Sequence, residues 1–270
     1  MAFDFTGGTN TTRLNATLGS TVPPSSGAFS VGCWCHMDAW VTGRTFIGTG
    51  TTVAALTGLQ SGASTAQRFS LKVNCATTDM VVEVAAPATG AWICVVAVYN
   101  NSLTATNNLI YTGSLSSPMA SQAHVVDTNG SGAVTGSTAG TIGKNAAAST
   151  AIDGRISQPF WVPWAMTAAE VERYRLGDWT CLYRGGRPTL FLPTQFGSAG
   201  LYDYGVTPQN WTNTGSAAAA ADPPNAAGWG LNGGLLVRPN VRTPQSYAGG
   251  FTPAGANQRT VKRSFGGAFT

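Results

Sequence analysis

Between Gly140 and Gly177 the chain spells out strand, loop, strand and one short helix. Thr141–Gly143 reads as a short strand that gives way to a small polar loop. A second strand carries Asp153, Gly154, Arg155 and Ile156. The residues from Met166 to Val171 then open a helix whose start is marked by Thr167 and Glu170. At this three-residue spacing the threonine hydroxyl accepts from the amide of residue 170, while the carboxylate accepts from the amide of Thr167. Gly177 suits the left-handed position that ends a helix.

Elsewhere the pattern has period two. Phe69, Leu71, Val73 and Cys75 alternate with Ser70, Lys72 and Asn74, which predicts a strand with one buried and one wet face. A turn at Thr77, Thr78 and Asp79 leads into Met80–Ala85, completing a hairpin. Trp92–Tyr99 is apolar on both faces, as a central strand covered on both sides must be. Leu109–Tyr111 returns as a strand, with a turn expected at Thr112 and Gly113. The Ser/Gly/Thr-rich stretch from Asp127 to Gly140 reads as loop or edge and as a candidate contact surface, and Thr189–Pro193 as one more strand.

The Gly140–Gly177 segment resembles the end of a LamG-like domain, of the concanavalin A-like lectin and glucanase group. Ala2–Gly8 is similar to that family's opening strand, Phe29–Cys35 to its core strand, and Thr89–Tyr99 to its central strand. Leu201–Tyr204, Asn210–Gly215 and the Asp222-Pro223-Pro224 turn resemble the closing segment of LamG-like proteins from tailed bacteriophages. The resemblance implies an all-β, two-sheet antiparallel jelly-roll sandwich with one short helix. It would occupy residues 1–237 and close near Pro224 to Leu236, leaving 238–270 as an extended C-terminal arm.

Charge is scarce and unevenly placed. Charged residues make up 10% of the chain, where about a quarter is usual. No acidic residue follows Asp222, whereas Arg238, Arg242, Arg259, Lys262 and Arg263 all do. The same stretch holds three prolines and the separated aromatics Tyr247, Phe251, Phe265 and Phe269. Apolar anchors on an extended basic segment fit an arm that docks on a neighbouring molecule, and these nine residues are its candidate partner-binding set. The cations are spread among Gly, Pro and Ala without a reading motif, so nucleic acid is not the expected partner. No apolar run approaches the roughly 18 residues of a membrane span, and the opening strand follows Met1 at once, so neither membrane nor signal peptide is expected. Five cysteines without zinc-type spacing read as buried free thiols made in a reducing compartment. Cys33 and Cys35, two apart on a strand, share a face and are expected beside Cys94.

Catalytic constellations are missing from the sequence. Glycosidases of this sandwich group place paired carboxylates on one strand, and a retaining pair needs them about 5 Å apart. Here Glu83 stands alone on its strand, and Glu170 and Glu172 belong to the helix. His36 and His124 are the two histidines, and no Gly-x-Ser-x-Gly elbow accompanies them. The expectation is therefore no enzyme, no cofactor and no metal. Asp79, Asp127 and Asn129 are candidate calcium ligands by their loop positions, but loop Asx residues commonly form turns. Trp34 and Trp161 read as packing residues; Trp211 and Trp229, in the closing loops, are the candidates for stacking on a sugar ring. The function expected is that of a non-enzymatic bacteriophage virion protein, most specifically a homo-oligomeric capsid decoration protein made in the host cytoplasm. It would bind the major capsid protein or another virion protein through its sandwich and arm. The alternative is a glycan-binding tail or receptor-recognition protein.

Overall fold

The computed structural model describes residues 2–5, 13–23, 27–52, 55–63, 65, 67–144, 151–184, 186, 188–192, 203, 205–206, 211–214 and 218–220. All belong to the unit Met1–Asn232; the unit Gly233–Thr270, which contains the expected arm, lies outside the described residues. The Asp222 turn and the expected closure near Pro224 to Leu236 lie outside them too.

Sixteen strands are described. They are β1 (Ala2–Asp4), β2 (Arg13–Val22), β3 (Phe29–Ala39), β4 (Thr45–Thr49), β5 (Thr57–Ser61), β6 (Arg68–Val73), β7 (Met80–Ala85) and β8 (Trp92–Tyr99). Then come β9 (Leu109–Ser114), β10 (Ala120–Ser121), β11 (His124–Thr128), β12 (Ser137–Ile142), β13 (Asp153–Val162), β14 (Leu190–Phe191), β15 (Thr212–Thr214) and β16 (Ala218–Ala220). The first sheet runs β10-β9-β8-β3-β13-β1-β16, with β14 also paired to β13. The second runs β11-β7-β6-β5-β4-β12-β2-β15. Neighbours pair antiparallel throughout, giving the two-sheet jelly-roll sandwich that the resemblance implies.

Alternation along each strand sends one set of side chains inward. Cys33, Cys35, Val95, Ala97 and Ile156 from the first sheet meet Leu14, Ile47, Leu59, Leu71 and Val82 from the second in one buried cluster. Phe29 stacks on Trp161 at 4.7 Å, and Phe46 lies against Phe69 at 5.6 Å. A second cluster lies on the outward face of the first sheet, where Trp34, Cys94, Val96, Val98 and Phe160 are covered. The cover is helix α1 (Ala168–Arg175) with the 3-10 turn Trp179–Tyr183.

Helix α1 begins and ends as its sequence predicts. Glu170 N donates to Thr167 Oγ1 at 3.3 Å, and Thr167 N donates to Glu170 Oε2 at 2.8 Å. At the far end Gly177, with φ +83°, donates to Tyr174 O, and Asp178 N reaches Arg173 O. This pair of bonds is the Schellman closure. Tyr174 also fastens the helix to the sheet. β13 bulges between Ser157 and Phe160, where Gln158 takes φ +54°, and the Tyr174 hydroxyl donates to Gln158 O at 2.6 Å.

Four local expectations need correction. Cys94 does not join Cys33 and Cys35: it pairs with Trp34 across β3 and β8, so register puts it on the opposite face. Thr112 and Gly113 form no turn; they continue β9, opposite Val95 and Cys94. The Asp127–Gly140 stretch is only partly loop, because it ends in β12, an interior strand between β4 and β2. Bridges from Thr78 to Ser131 and Cys75 to Val134 pin its middle to the β6–β7 turn. Finally, the wet face expected of β6 is largely covered, with Ser70 fully buried.

Candidate functional site

Where the helical cover of the first sheet stops, one polar row crosses four strands. Asp4 on β1 lies opposite Arg155 on β13, Arg155 opposite His36 on β3, and His36 opposite Trp92 on β8. The next residues along, Phe3, Ile156, Cys35 and Ile93, belong to the inner core or pack against it, so the row faces outward. Gly154 lets β13 approach closely beside it: a Cβ there would sit 2.2 Å from His36 O, at φ +153°. That contact explains glycine in the Asp-Gly-Arg motif.

Geometry within the row is open. Arg155 Nε lies 3.6 Å from Asp4 Oδ2, His36 Nδ1 lies 3.2 Å from Asp38 Oδ1, and the His36 and Trp92 rings meet edge-on at 5.6 Å. Trp92 is half-buried and packs against the outer cluster. An indole flanked by imidazole, guanidinium and carboxylate offers a flat apolar surface with donors and acceptors around it. Such a surface suits a polar ring lying flat.

On the outward face of the second sheet a different row runs Thr45, Gln60, Ser70, Glu83 across β4, β5, β6 and β7. All four are buried. Glu83 accepts from Ala63 N at 2.8 Å and pairs with Arg68 at 2.9 Å. Thr45 Oγ1, Gln60 Oε1 and Ser70 Oγ have no hydrogen-bond partner among the described residues. Beyond the end of this row lie Arg44 and Lys144, of which Lys144 is 2% exposed. Burial, and then the nearby Arg13 and Arg44, push the Lys144 ammonium below its ordinary pKa.

The residues singled out from sequence fall as follows. Trp211 is buried and packs in the inner core, and its Nε1 donates to Asp203 Oδ2 at 3.2 Å, so its ring does not present a sugar-stacking face. Trp229, Arg238, Arg242, Tyr247, Phe251, Arg259, Lys262, Arg263, Phe265 and Phe269 lie outside the described residues. Asp79 accepts from Cys75 N and pairs with Lys72, Asp127 meets His124 at 2.7 Å, and Asn129 accepts from Ala105 N. These are structural tasks for the three candidate calcium ligands. No cluster of three metal-binding side chains occurs among the described residues. The Trp92 row escaped the sequence reading because residues 4, 36, 92 and 155 meet only through strand register. The usable signal was the parity of His36 with Trp34.

No family model matches the chain, and no curated protein does. Solved structures similar to it include a candidate carbohydrate-binding protein from Bacteroides ovatus, with TM-score 0.48 and 12% identity. That alignment covers 76% of this chain and 59% of the other. Laminin α1 domains LG4-5 from mouse align at TM-score 0.42 and 10% identity over 62% of this chain and 43% of theirs. A heptameric SAP-like pentraxin from Limulus polyphemus aligns at 0.39 and 12% over 63% and 78%.

Proposed function

We propose that the chain is a non-enzymatic structural protein of a bacteriophage particle, a capsid decoration protein that seats its sandwich on the head and docks its C-terminal arm on a neighbour. One observation carries this reading: residues 1–237 hold ten cations and eleven anions, whereas 238–270 hold five cations, no anion and four aromatics. A near-neutral block with a basic, aromatic-dotted arm fits a partner surface that is acidic and grooved. Many such weak attachments add up on a lattice through effective concentration. The partner is the major capsid protein or another virion protein, met by a symmetric homo-oligomer. Deleting residues 238–270 tests this: the truncated chain keeps its β-type circular dichroism and loses co-sedimentation with particles. Unchanged particle occupancy removes the arm from the mechanism. Immunogold against residues 1–237 separates the head from the tail tip.

A second reading, glycan recognition, is favoured by the partly exposed Trp92 beside His36 and Arg155. It moves the stacking role from Trp211 to Trp92. Glycan-array binding that Trp92→Ala abolishes supports it; an intact protein that binds no glycan removes it.

A further inference from the structure

We propose, resting on the arm-docking reading above, that residues 238–270 carry two tandem copies of one docking motif, by which each chain grips two equivalent acceptor surfaces of the particle at once. The first copy is Arg242-Thr243, two further residues, then Ser246-Tyr247-Ala248-Gly249-Gly250-Phe251-Thr252. The second is Arg259-Thr260, three further residues, then Ser264-Phe265-Gly266-Gly267-Ala268-Phe269-Thr270. The arginine, both threonines, the serine, the central glycine and the second aromatic agree in identity. The first aromatic and the two flanking small residues agree in kind. Nowhere else in the chain is a serine followed directly by an aromatic residue, so the match is more than a Gly/Ser/Thr-rich composition repeating itself.

Each copy has the parts of an anchored segment. A cation leads it, and its two aromatics stand four residues apart, which in an extended segment puts them on one face, about 13 Å from each other at the rise of a strand. Two of the three residues between them are glycine in either copy, which disfavours a helix and lets the backbone approach a surface closely. The complementary surface has two apolar pockets at that separation, beside acidic groups. These rings have no core of their own to enter: residues 238–270 add only two valines, with no leucine, isoleucine or methionine. The sandwich differs, since no aromatic side chain is exposed among the described residues. Duplicate motifs match duplicate acceptors, which a symmetric assembly supplies. Phe251 and Phe265 are 14 residues apart, so the two acceptors lie within about 50 Å, the full reach of that span. Its root-mean-square extension is about 20 Å. Once one copy is seated, the other binds at the effective concentration that this tether sets.

The test is co-sedimentation of the full chain, over a concentration series, with particles depleted of it. Tyr247→Ala with Phe251→Ala silences the first copy, and Phe265→Ala with Phe269→Ala the second. Each pair should weaken binding by about 100-fold or more, the scale of losing one of two linked contacts, and the two should leave comparable residual affinities. All four substitutions together should abolish saturable binding. A spacer of about twenty Gly/Ser residues inserted after Thr252 gives a second readout. It should change the affinity of the parent and leave that of either pair variant unchanged, because a single copy has no tether to feel. A chain whose arm is shuffled with its cations kept should lose binding; retained binding would assign the arm to any anionic surface, lipid or nucleic acid included, and overturn the proposal. Loss confined to one pair, or a parent indifferent to the spacer, overturns the duplication and leaves arm docking standing. A parent chain that binds no particles overturns both.

Discussion

On the outward face of the first sheet, Val171 and Tyr174 press onto Trp34, Cys94 and Phe160 and exclude water from them. On the outward face of the second, Thr45, Gln60, Ser70 and Glu83 are just as hidden, but polar and incompletely bonded. Both arrangements sit on the same kind of antiparallel ladder. Apolar cover converts hidden area into stability at roughly 25 cal/mol per Å². Hidden polar atoms contribute stability only when paired. The first face is built to hold the fold together, and the second keeps unused hydrogen-bonding capacity.

Substitutions sharpen or break that contrast. Trp34→Ala strikes the covered face and should cost about 3–5 kcal/mol in denaturant unfolding; a loss below 1 kcal/mol would mean the helical layer packs loosely. Gly154→Ala tests the close approach beside the polar row, where the new methyl meets His36 O at φ +153°. It should cost on the order of 1–3 kcal/mol, read from the same unfolding curves. Thr167→Ala removes one side of the capping box and should cost about 1 kcal/mol. Glu172 supplies a pH-dependent increment: the Arg175 guanidinium holds its carboxyl below the usual range. Because the folded-state value is depressed, the pair stabilises above the unfolded value of about 4.3, and the contribution fades as pH falls through the folded value. The stability gap between parent and Glu172→Gln should therefore narrow on acidification; a gap constant from pH 7 to 3 contradicts the pairing. Smallest of all is Ser70→Ala. On the polar face it deletes a hydroxyl without a described partner, so its effect should lie within about 0.5 kcal/mol of zero or be stabilising; a cost above that would reveal a bond at Ser70.

The features legible from sequence were those written by neighbours along the chain. The capping box at Thr167 and Glu170, the left-handed Gly177 and the hairpin of β6 and β7 each depend on a few adjacent residues. So did the two-sided burial of β8, because its apolar run has no polar phase. The failures share another cause. Alternation gives the parity of a residue within its strand, but not the register that relates parity between strands, and Cys94 was misplaced for that reason. Parity also says nothing of what covers a face, which is why Ser70 read as wet. Trp211 needed Asp203, and the Trp92 row needed four strands in register.

β1 lies between β13 and β16, with Phe3 opposite both Ile156 and Ala219. A strand from the chain's first residues thus finds both its partners only after most of the sequence has been made. At roughly 5–20 residues per second of synthesis, about ten to forty seconds separate Phe3 from Ala219 on the ribosome. The pairing spans nearly the longest sequence separation in the described chain, so its loop-closure entropy is among the largest to be overcome. In a nascent chain, then, β1 emerges well before either of its neighbours and is expected to be among the last strands described to gain both.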